Sequence, residues 1–276
     1  MFSLSDVLAK RALVSADPLA IGWLKFAGAA VVSLPILMLQ PLPLLWPFAG
    51  YLLLVIPVEL VAVYLYHRAI AGSPLSLTVP MLAFTPVFLL VIGFLMLGEA
   101  PTPMGYLGVA LVSVGAYVVH LQWGMGIGQP FRSLWREPGV RMMLAVAGLY
   151  SITASMGKLL VQASSPLFFG AFYPLILTLV LAPVMLAGGA GQRILSLRAT
   201  PWLVLAGIAL TYAAMMQFHF AALEQAPVAY MIAVKRVSLL FALLWGRVFF
   251  QEAVTGYRVL GSVLMFGGVI AISLAR

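Results

Sequence analysis

The chain of 276 residues contains no cysteine, and only 8% of its residues are charged. Without cysteine, disulfides and thiolate metal sites are excluded, and the redox compartment cannot be inferred. A soluble globular domain carries roughly 25% charged residues, so this chain has too few to cover a water-exposed surface. Its residues are instead 64% apolar. The composition predicts an all-α integral membrane protein with little structure outside the bilayer.

Motifs of catalysis and nucleotide hydrolysis are also absent. There is no HExxH, no GxSxG, no pair of intramembrane aspartates and no glycine-rich phosphate loop. The three histidines, His67, His120 and His219, are far apart and none opens a metal-ligand motif. These absences argue against an intramembrane enzyme, and we expect no catalytic residues, no metal, no cofactor and no direct use of ATP.

Positive charge exceeds negative charge, with 15 Lys and Arg against 7 Asp and Glu. In a soluble protein this excess would suggest nucleic-acid binding, but in a membrane protein it marks loops on the cytoplasmic side. We therefore expect no nucleic-acid partner. No cleavable signal peptide is predicted, because Asp6, Lys10 and Arg11 interrupt the first apolar stretch.

Long apolar runs separated by short turns predict ten membrane segments, since a span needs about 20 mostly apolar residues. Only residues 122–141 form a long connection, which divides the chain into a first repeat (1–121) and a second repeat (142–276). The predicted segments are residues 1–16, 20–39, 48–71, 75–97, 104–121, 142–162, 167–188, 202–223, 228–250 and 256–275.

The two halves resemble each other in sequence. LAKRALVSADPL (8–19) aligns with MGKLLVQASSPL (156–167), which places Lys10 opposite Lys158, 148 positions later. Further matches lie 153 positions apart, and a longer loop after the seventh segment accounts for the change of five. Five segments per half is an odd number, so the second half enters the bilayer from the opposite side. Such inverted repeats are typical of secondary transporters. The later matches are Pro74 with Pro227, Glu99 with Glu252, Gly108 with Gly261 and Gly115 with Gly268.

The first helix is shorter than the repeat predicts. Met142 projected back by 148 positions falls at 142 − 148 = −6, before the first residue. We therefore expect the first helix to be truncated by roughly two turns.

The stretch AFTPVFLLVIGFLMLGEAPTPMGYLGVALVSVGAYVV (83–119) ends an apolar helix in Gly-Glu and continues into a glycine-bearing helix. VKRVSLLFALLWGRVFFQEAVTGYRVLGSVLMFGGVIAI (234–272) repeats the pattern, with Gln251 in place of the glycine. In these residues the chain resembles the EamA family of the drug/metabolite transporter superfamily, and the resemblance covers nearly the whole chain. It implies a five-plus-five helix fold and the export or exchange of small organic solutes, such as amino acids, other metabolites or drugs, by alternating access.

These features together set the expected context of the protein. We expect a multi-pass protein of the cell membrane, which is the inner membrane if the source is a Gram-negative bacterium. Its expected partners are the lipid bilayer and a small organic solute, and its expected state is a monomer.

Three charged residues inside predicted spans indicate a functional site, since a charge at the bilayer centre costs about 2.5 to 3.5 kcal/mol. Glu59 lies near the middle of the third segment, and Lys235 and Arg236 lie a third of the way into the ninth. Their counterparts by the repeat are Tyr212 for Glu59, and Leu82 and Ala83 for the basic pair. Charges that break a repeat suggest solute chemistry rather than scaffold.

The resemblance implies that the third, fourth, eighth and ninth helices surround a central cavity. Glu59 and Tyr66 share one face of the third segment, and Tyr212, Met216 and His219 share one face of the eighth. We expect the basic pair to hold solute carboxylates, and Glu59 to be the candidate for proton coupling. The predicted cavity residues are Glu59, Tyr66, Phe84, Tyr212, Met216, His219, Lys235, Arg236, Ser238 and Trp245.

Simpler interpretations remain open for these residues. Glu59 can neutralise the basic pair in a buried bridge, and Arg236 can extend to the lipid headgroups. His219 can bond a neighbouring carbonyl without contacting solute.

Other residues are interpreted as structural. Lys10 and Lys158 are expected to pair with carbonyls at helix C-termini. The glycine pairs Gly108 with Gly115 and Gly261 with Gly268 predict close helix contacts. Glu99 and Glu252 are expected to anchor their helices at the interface. Prolines within spans are expected to kink helices beside the cavity: Pro57, Pro80, Pro86, Pro174 and Pro183.

The sequence leaves more than one function and more than one membrane orientation open. A lipid-linked sugar flippase of the same fold, or a membrane assembly factor, would share the span pattern. Six arginines fall in loops on one side, which places both termini outside, whereas the family resemblance implies cytoplasmic termini. The orientation therefore stays open.

Overall fold

A computed structural model describes residues 5, 8–9, 12, 16–121, 126, 128–186, 190–250 and 255–275. Within these ranges the chain forms helices joined by turns, without β-strands. The α-helices are α1 Pro18–Leu39, α2 Leu45–Gly72, α3 Leu75–Thr78, α4 Thr85–Leu97, α5 Pro103–Val119, α6 Gln129–Ser133, α7 Pro138–Gln162, α8 Pro166–Leu186, α9 Ala190–Ser196, α10 Trp202–Gln225, α11 Val228–Arg236, α12 Ser238–Phe250 and α13 Gly256–Leu274. The 3-10 segments are Val79–Phe84 and Leu197–Ala199.

Eight helical stretches of the described chain are long and apolar enough to cross a membrane. Large apolar side chains are exposed along them, such as Leu53 at 70% and Phe218 at 65%. Such surfaces are typical of contact with lipid rather than water. The predicted all-α membrane fold is thus confirmed at this level. The count of ten spans stays a prediction, because α5 has only 17 residues and most of segment 1–16 lies outside the described residues.

Two predicted segments are interrupted, the fourth at the prolines that predict a kink and the ninth at a position where no kink is predicted. In the fourth segment a 3-10 stretch, Val79–Phe84, separates α3 from α4. Pro80 lies inside this stretch and Pro86 lies in the first turn of α4, and proline removes a backbone donor from the helix. In the ninth segment α11 ends at Arg236 and α12 begins at Ser238. There the Val237 N–H bonds the Val234 carbonyl at 3.0 Å, the tighter spacing of a 3-10 turn.

The longer connections are also more ordered than expected. The predicted loop 122–141 contains α6, and α7 begins at Pro138 rather than at residue 142. The loop after the seventh segment contains α9. Both helices are too short to span a membrane, and each carries an exposed apolar side chain, Phe131 at 43% and Ile194 at 48%.

The chain divides into two compact units, each of which takes segments from both sequence repeats. The first unit contains Met1–Leu45 and Leu160–Gln225. In it, α1 packs against α8 and α10. Asp17 caps α1 by accepting a hydrogen bond from the Ala20 N–H at 3.1 Å, a common role of aspartate at a helix start. A Cβ on Gly28 would lie 2.6 Å from the Ala209 Cβ, so α1 and α10 pack closely there.

The second unit contains Trp46–Leu159 and Ala226–Arg276. Its largest helix contact joins α5 and α13 through the four glycines named from the sequence. A Cβ on Gly108 would lie 2.8 Å from the Gly268 carbonyl, and a Cβ on Gly115 would lie 2.6 Å from the Gly261 carbonyl. Because the earlier glycine of one helix faces the later glycine of the other, α5 and α13 run antiparallel. Glycine permits this close approach of two backbones.

The starts of α5 and α13 are built alike. Thr102 accepts a hydrogen bond from the Gly105 N–H at 3.3 Å, and Thr255 accepts one from the Arg258 N–H at 3.4 Å. A threonine hydroxyl in this position satisfies a donor that the first helical turn leaves free. The two threonines are 153 residues apart, so this match extends the repeat.

Candidate functional site

Three helices of the second unit bring polar side chains together within the spans. Tyr150 of α7 interacts electrostatically with Glu59 and Tyr66 of α2 and with Arg236 at the end of α11. Lys235 interacts with both Arg236 and Glu59. We name Glu59, Tyr66, Tyr150, Lys235 and Arg236 the polar cluster. All five side chains are partly buried.

The polar cluster combines two cations, one carboxylate and two phenols. A buried charge is tolerable in a membrane when a partner or a wet cavity offsets its lost hydration. Glu59 supplies a negative partner to Lys235, and the two cations outnumber the single carboxylate, so the cluster keeps a net positive charge when all three are ionised. Such a site can hold an anionic group of a solute at the cations, and the phenols can donate hydrogen bonds to it.

The basic pair lies where the ninth span changes helix. Arg236 is the last residue of α11, and α12 begins two residues later at Ser238. The backbone N–H groups at the start of α12 give that end a partial positive charge. The two cations themselves lie in the last turn of α11, whose carbonyl end carries a partial negative charge that favours them, next to the positively polarised start of α12.

Arg236 also bonds the interrupted fourth span. Its Nη2 donates to the Leu82 carbonyl at 2.9 Å and to the Thr85 hydroxyl at 3.2 Å. Thr85 is 3% exposed, so these bonds lie inside the unit. The sequence left open whether Arg236 extends to the lipid headgroups. In the structure its guanidinium bonds the backbone of the fourth span instead.

A second buried ion pair lies at the end of α4. Gly98 ends that helix with a positive φ of 68°, a conformation that suits glycine, and Glu99 follows it. Lys158 of α7, 7% exposed, donates to Glu99 at 2.5 Å and to the Ala226 carbonyl at 2.7 Å. The other Glu99 oxygen accepts the Val228 N–H at 2.7 Å, at the start of α11.

This ion pair changes the interpretation of two residues. Lys158 reaches a carbonyl just after α10, as expected for a structural lysine, but its pairing with Glu99 was not foreseen. Glu99 is 15% exposed and is bonded on both oxygens, rather than simply anchored at the interface. The repeat partners Lys10 and Glu252, and Gln251, lie outside the described residues.

Three predicted cavity residues belong to the first unit. Tyr212 is buried, with its ring edge-on to Phe26 at 5.5 Å and the Lys25 ammonium 5.6 Å from its centre. Met216 is buried on the same helix, α10. The His219 ring lies 4.9 Å from the Phe220 ring. A cavity role for these residues stays a prediction.

The remaining predicted residues lie along the interrupted spans. Phe84 packs with Tyr117 and Phe131 at ring distances of 6.2 and 5.5 Å. Ser238 begins α12, and Trp245 lies two turns further along that helix. Both are partly buried.

Sequence reasoning missed Tyr150 and Lys25. Tyr150 lies near the middle of α7 but carries no formal charge, so a search for charged residues in spans passes over it. Lys25 lies inside α1, and its charge within an apolar run was a visible signal.

The sequence of this chain matches a known protein family over most of its length. A family model described as the EamA-like transporter family matches residues 1–121 and 137–274. The chain belongs to this family. Members of the EamA-like family are transporters rather than enzymes, so the chain is a membrane transporter of small solutes.

Solved structures agree with this family at the level of the fold. Eighteen solved chains match the structure. One of them, described only as the crystal structure of a protein, has a TM-score of 0.72 and 15% identity, and the alignment covers 99% of this EamA-like chain and 95% of the other. At this identity the likeness shows the fold alone. A comparison with curated proteins finds no match.

Proposed function

We propose that the protein is a secondary transporter that exports or exchanges small organic solutes by alternating access, with the anionic group of the solute bound at the polar cluster. The observation that carries this proposal is the electrostatic grouping of Glu59, Lys235, Arg236 and Tyr150 inside membrane spans of one compact unit. A scaffold has no need of a net positive site in lipid, whereas a carboxylate-bearing solute would balance it.

The repeat supports the mechanism in this proposal. Alternating access needs two related halves of opposite orientation, and the antiparallel contact of α5 with α13 is what an inverted repeat predicts for its last helices. The interruptions in the fourth and ninth spans resemble the discontinuous helices that form solute sites in secondary transporters. No observation on the described residues favours the flippase, the enzyme or the assembly factor.

Transport by proteoliposomes tests the proposal. The purified chain is reconstituted and assayed with amino acids, nucleosides and cationic drugs, with and without a proton gradient. We expect uptake of carboxylate-bearing solutes, and Lys235→Met is expected to raise their apparent KM by at least tenfold while KM for a cationic drug rises less. Uptake that prefers cationic drugs, or equal effects of Lys235→Met on both classes, would contradict the anionic site.

Glu59 is proposed as the proton carrier of this transporter. Its carboxylate is the negative member of the polar cluster, and protonation there would change the charge of the site. Glu59→Gln is expected to abolish the response of uptake to a pH gradient while solute exchange across liposomes without a gradient continues. Glu137→Gln, outside the polar cluster, serves as the matched control. An unchanged proton response in Glu59→Gln would refute this role.

A further inference from the structure

The two interruptions occupy matching positions in the sequence repeat. The first repeat resumes its α-helix at Thr85 and the second resumes it at Ser238, and 238 − 85 = 153, the spacing of the repeat. The sequences at the interruptions differ. Pro86 follows the first interruption, whereas Leu239 occupies the corresponding position in the second.

Pro86 leaves a specific backbone group without its usual donor. In an α-helix the Leu82 carbonyl would accept the N–H of residue 86, but proline has none. The structure shows three other donors at this carbonyl: the Thr85 N–H, the Thr85 hydroxyl at 2.9 Å and Arg236 Nη2 at 2.9 Å. Only Arg236 comes from another span.

The Arg236 guanidinium lies where the Leu82 carbonyl lacks the N–H of residue 86. Arg236 corresponds by the repeat to Ala83, within the interruption that it bonds. The same Nη2 bonds the Thr85 hydroxyl, the first residue of the resumed helix. The guanidinium therefore holds the carbonyl before the proline and the residue that restarts the helix. A guanidinium has several N–H donors in a fixed fork, so one side chain can serve both acceptors.

We propose that Arg236 is a positioning residue, which replaces the backbone donor removed by Pro86 and so fixes the two interrupted spans against each other, while Lys235 is the cation that binds solute. This assignment deepens the proposed function and rests on it only for the role of Lys235. It gives Lys235 and Arg236 different roles, whereas the sequence alone assigned solute binding to both.

The test uses hydrogen exchange of the full chain in lipid nanodiscs, without solute. Arg236→Met is expected to raise amide exchange in residues 81–85 about tenfold or more, because it removes a charge-assisted bond to the Leu82 carbonyl. Arg236→Lys keeps a donor and is expected to retain most of the protection. Lys235→Met is the neighbouring control, because it removes the cation assigned to the solute, and it should leave exchange in this segment within about twofold.

Pro86→Ala supplies the decisive rescue, since it returns an N–H to position 86. In the Pro86→Ala background, the increase caused by Arg236→Met should fall to about threefold or less, because the Leu82 carbonyl regains a backbone donor. An equal increase in both backgrounds would overturn the proposal, as would an unchanged exchange rate in Arg236→Met. If Arg236→Met fails to fold, the double variant is still expected to fold, and its failure would likewise overturn the proposal.

Transport kinetics add a second test, because Vmax and KM separate a positioning role of Arg236 from a role in solute binding. For any carboxylate-bearing solute that the wild-type chain carries, Arg236→Met should lower Vmax with KM within about twofold, and Pro86→Ala should recover Vmax. A large rise in KM that Pro86→Ala leaves in place would make Arg236 a solute ligand and overturn its assignment. If no solute is carried, the proposed function fails while the exchange experiment still decides the role of Arg236.

Discussion

The buried pair of Lys158 and Glu99 gives a prediction whose size can be worked out from the structure. Their side chains are 9% and 15% exposed and lie 2.5 Å apart. Removing one partner of a buried pair costs about 3 to 5 kcal/mol, because the other charge is left without compensation. Glu99 would keep its bond to the Val228 N–H after loss of Lys158, so we expect a value near the lower end, about 3 kcal/mol.

The assay for Lys158→Met is thermal unfolding of the purified protein, followed by the fluorescence of its six tryptophans. With about 2 to 4 °C per kcal/mol for chains of this size, Tm should fall by about 6 to 12 °C. Arg136→Met is the matched control, since it also removes one positive charge but from an exposed side chain. It should shift Tm by no more than about 2 °C.

The double variant Lys158→Met with Glu99→Gln examines the cause of the loss. The glutamine introduced by Glu99→Gln would still accept from the Val228 N–H, its amide could donate to the Ala226 carbonyl, and no unpaired charge would remain. The double variant should therefore recover at least half of the Tm lost in Lys158→Met. Equal Tm values for Lys158→Met and Arg136→Met, or a further fall in the double variant, would refute the reasoning from a buried charge.

Two further predictions concern the helices of the second unit. Gly268→Ala should destabilise by about 1 to 3 kcal/mol through overpacking, because its Cβ would lie 2.7 Å from the Gly108 carbonyl. The neighbouring Gly267→Ala meets no atom within 4 Å and should be neutral or stabilising in the same thermal assay, so equal losses would contradict the antiparallel contact. Thr102→Ala should cost about 1 kcal/mol by removing the cap of α5, whereas Thr102→Ser keeps the hydroxyl and should cost less. Equal Tm values for these two variants would show that the cap contributes nothing.

The positions of the main spans were predictable because they depend on local composition. Predicted segment 202–223 became α10, Trp202–Gln225, and segment 256–275 became α13, Gly256–Leu274. A run of apolar residues long enough to cross lipid must satisfy its own backbone groups, and a helix does so within the segment. Neither boundary needed knowledge of the rest of the chain.

The interruptions in the fourth and ninth spans were only partly predictable. Pro80 and Pro86 indicated an irregular fourth helix, since proline removes backbone donors. The ninth span has no proline between Val228 and Phe250, and the turn at Val237 gave no local signal. There the apolar residues on both sides of the basic pair predict one continuous helix, and the 3-10 turn at Val237 emerges only in the folded structure.

By itself, the sequence determined that this is a helical membrane protein of repeated design with charged residues inside its spans, because composition and spacing are properties of the chain alone. Only the tertiary structure decided the hydrogen-bond partners of Arg236 and Lys158. Arg236 meets the Leu82 carbonyl and Lys158 meets Glu99 across separations of 154 and 59 residues. Contacts between such distant residues depend on how helices pack, and the free energy of a charge in lipid depends on the partner that packing provides.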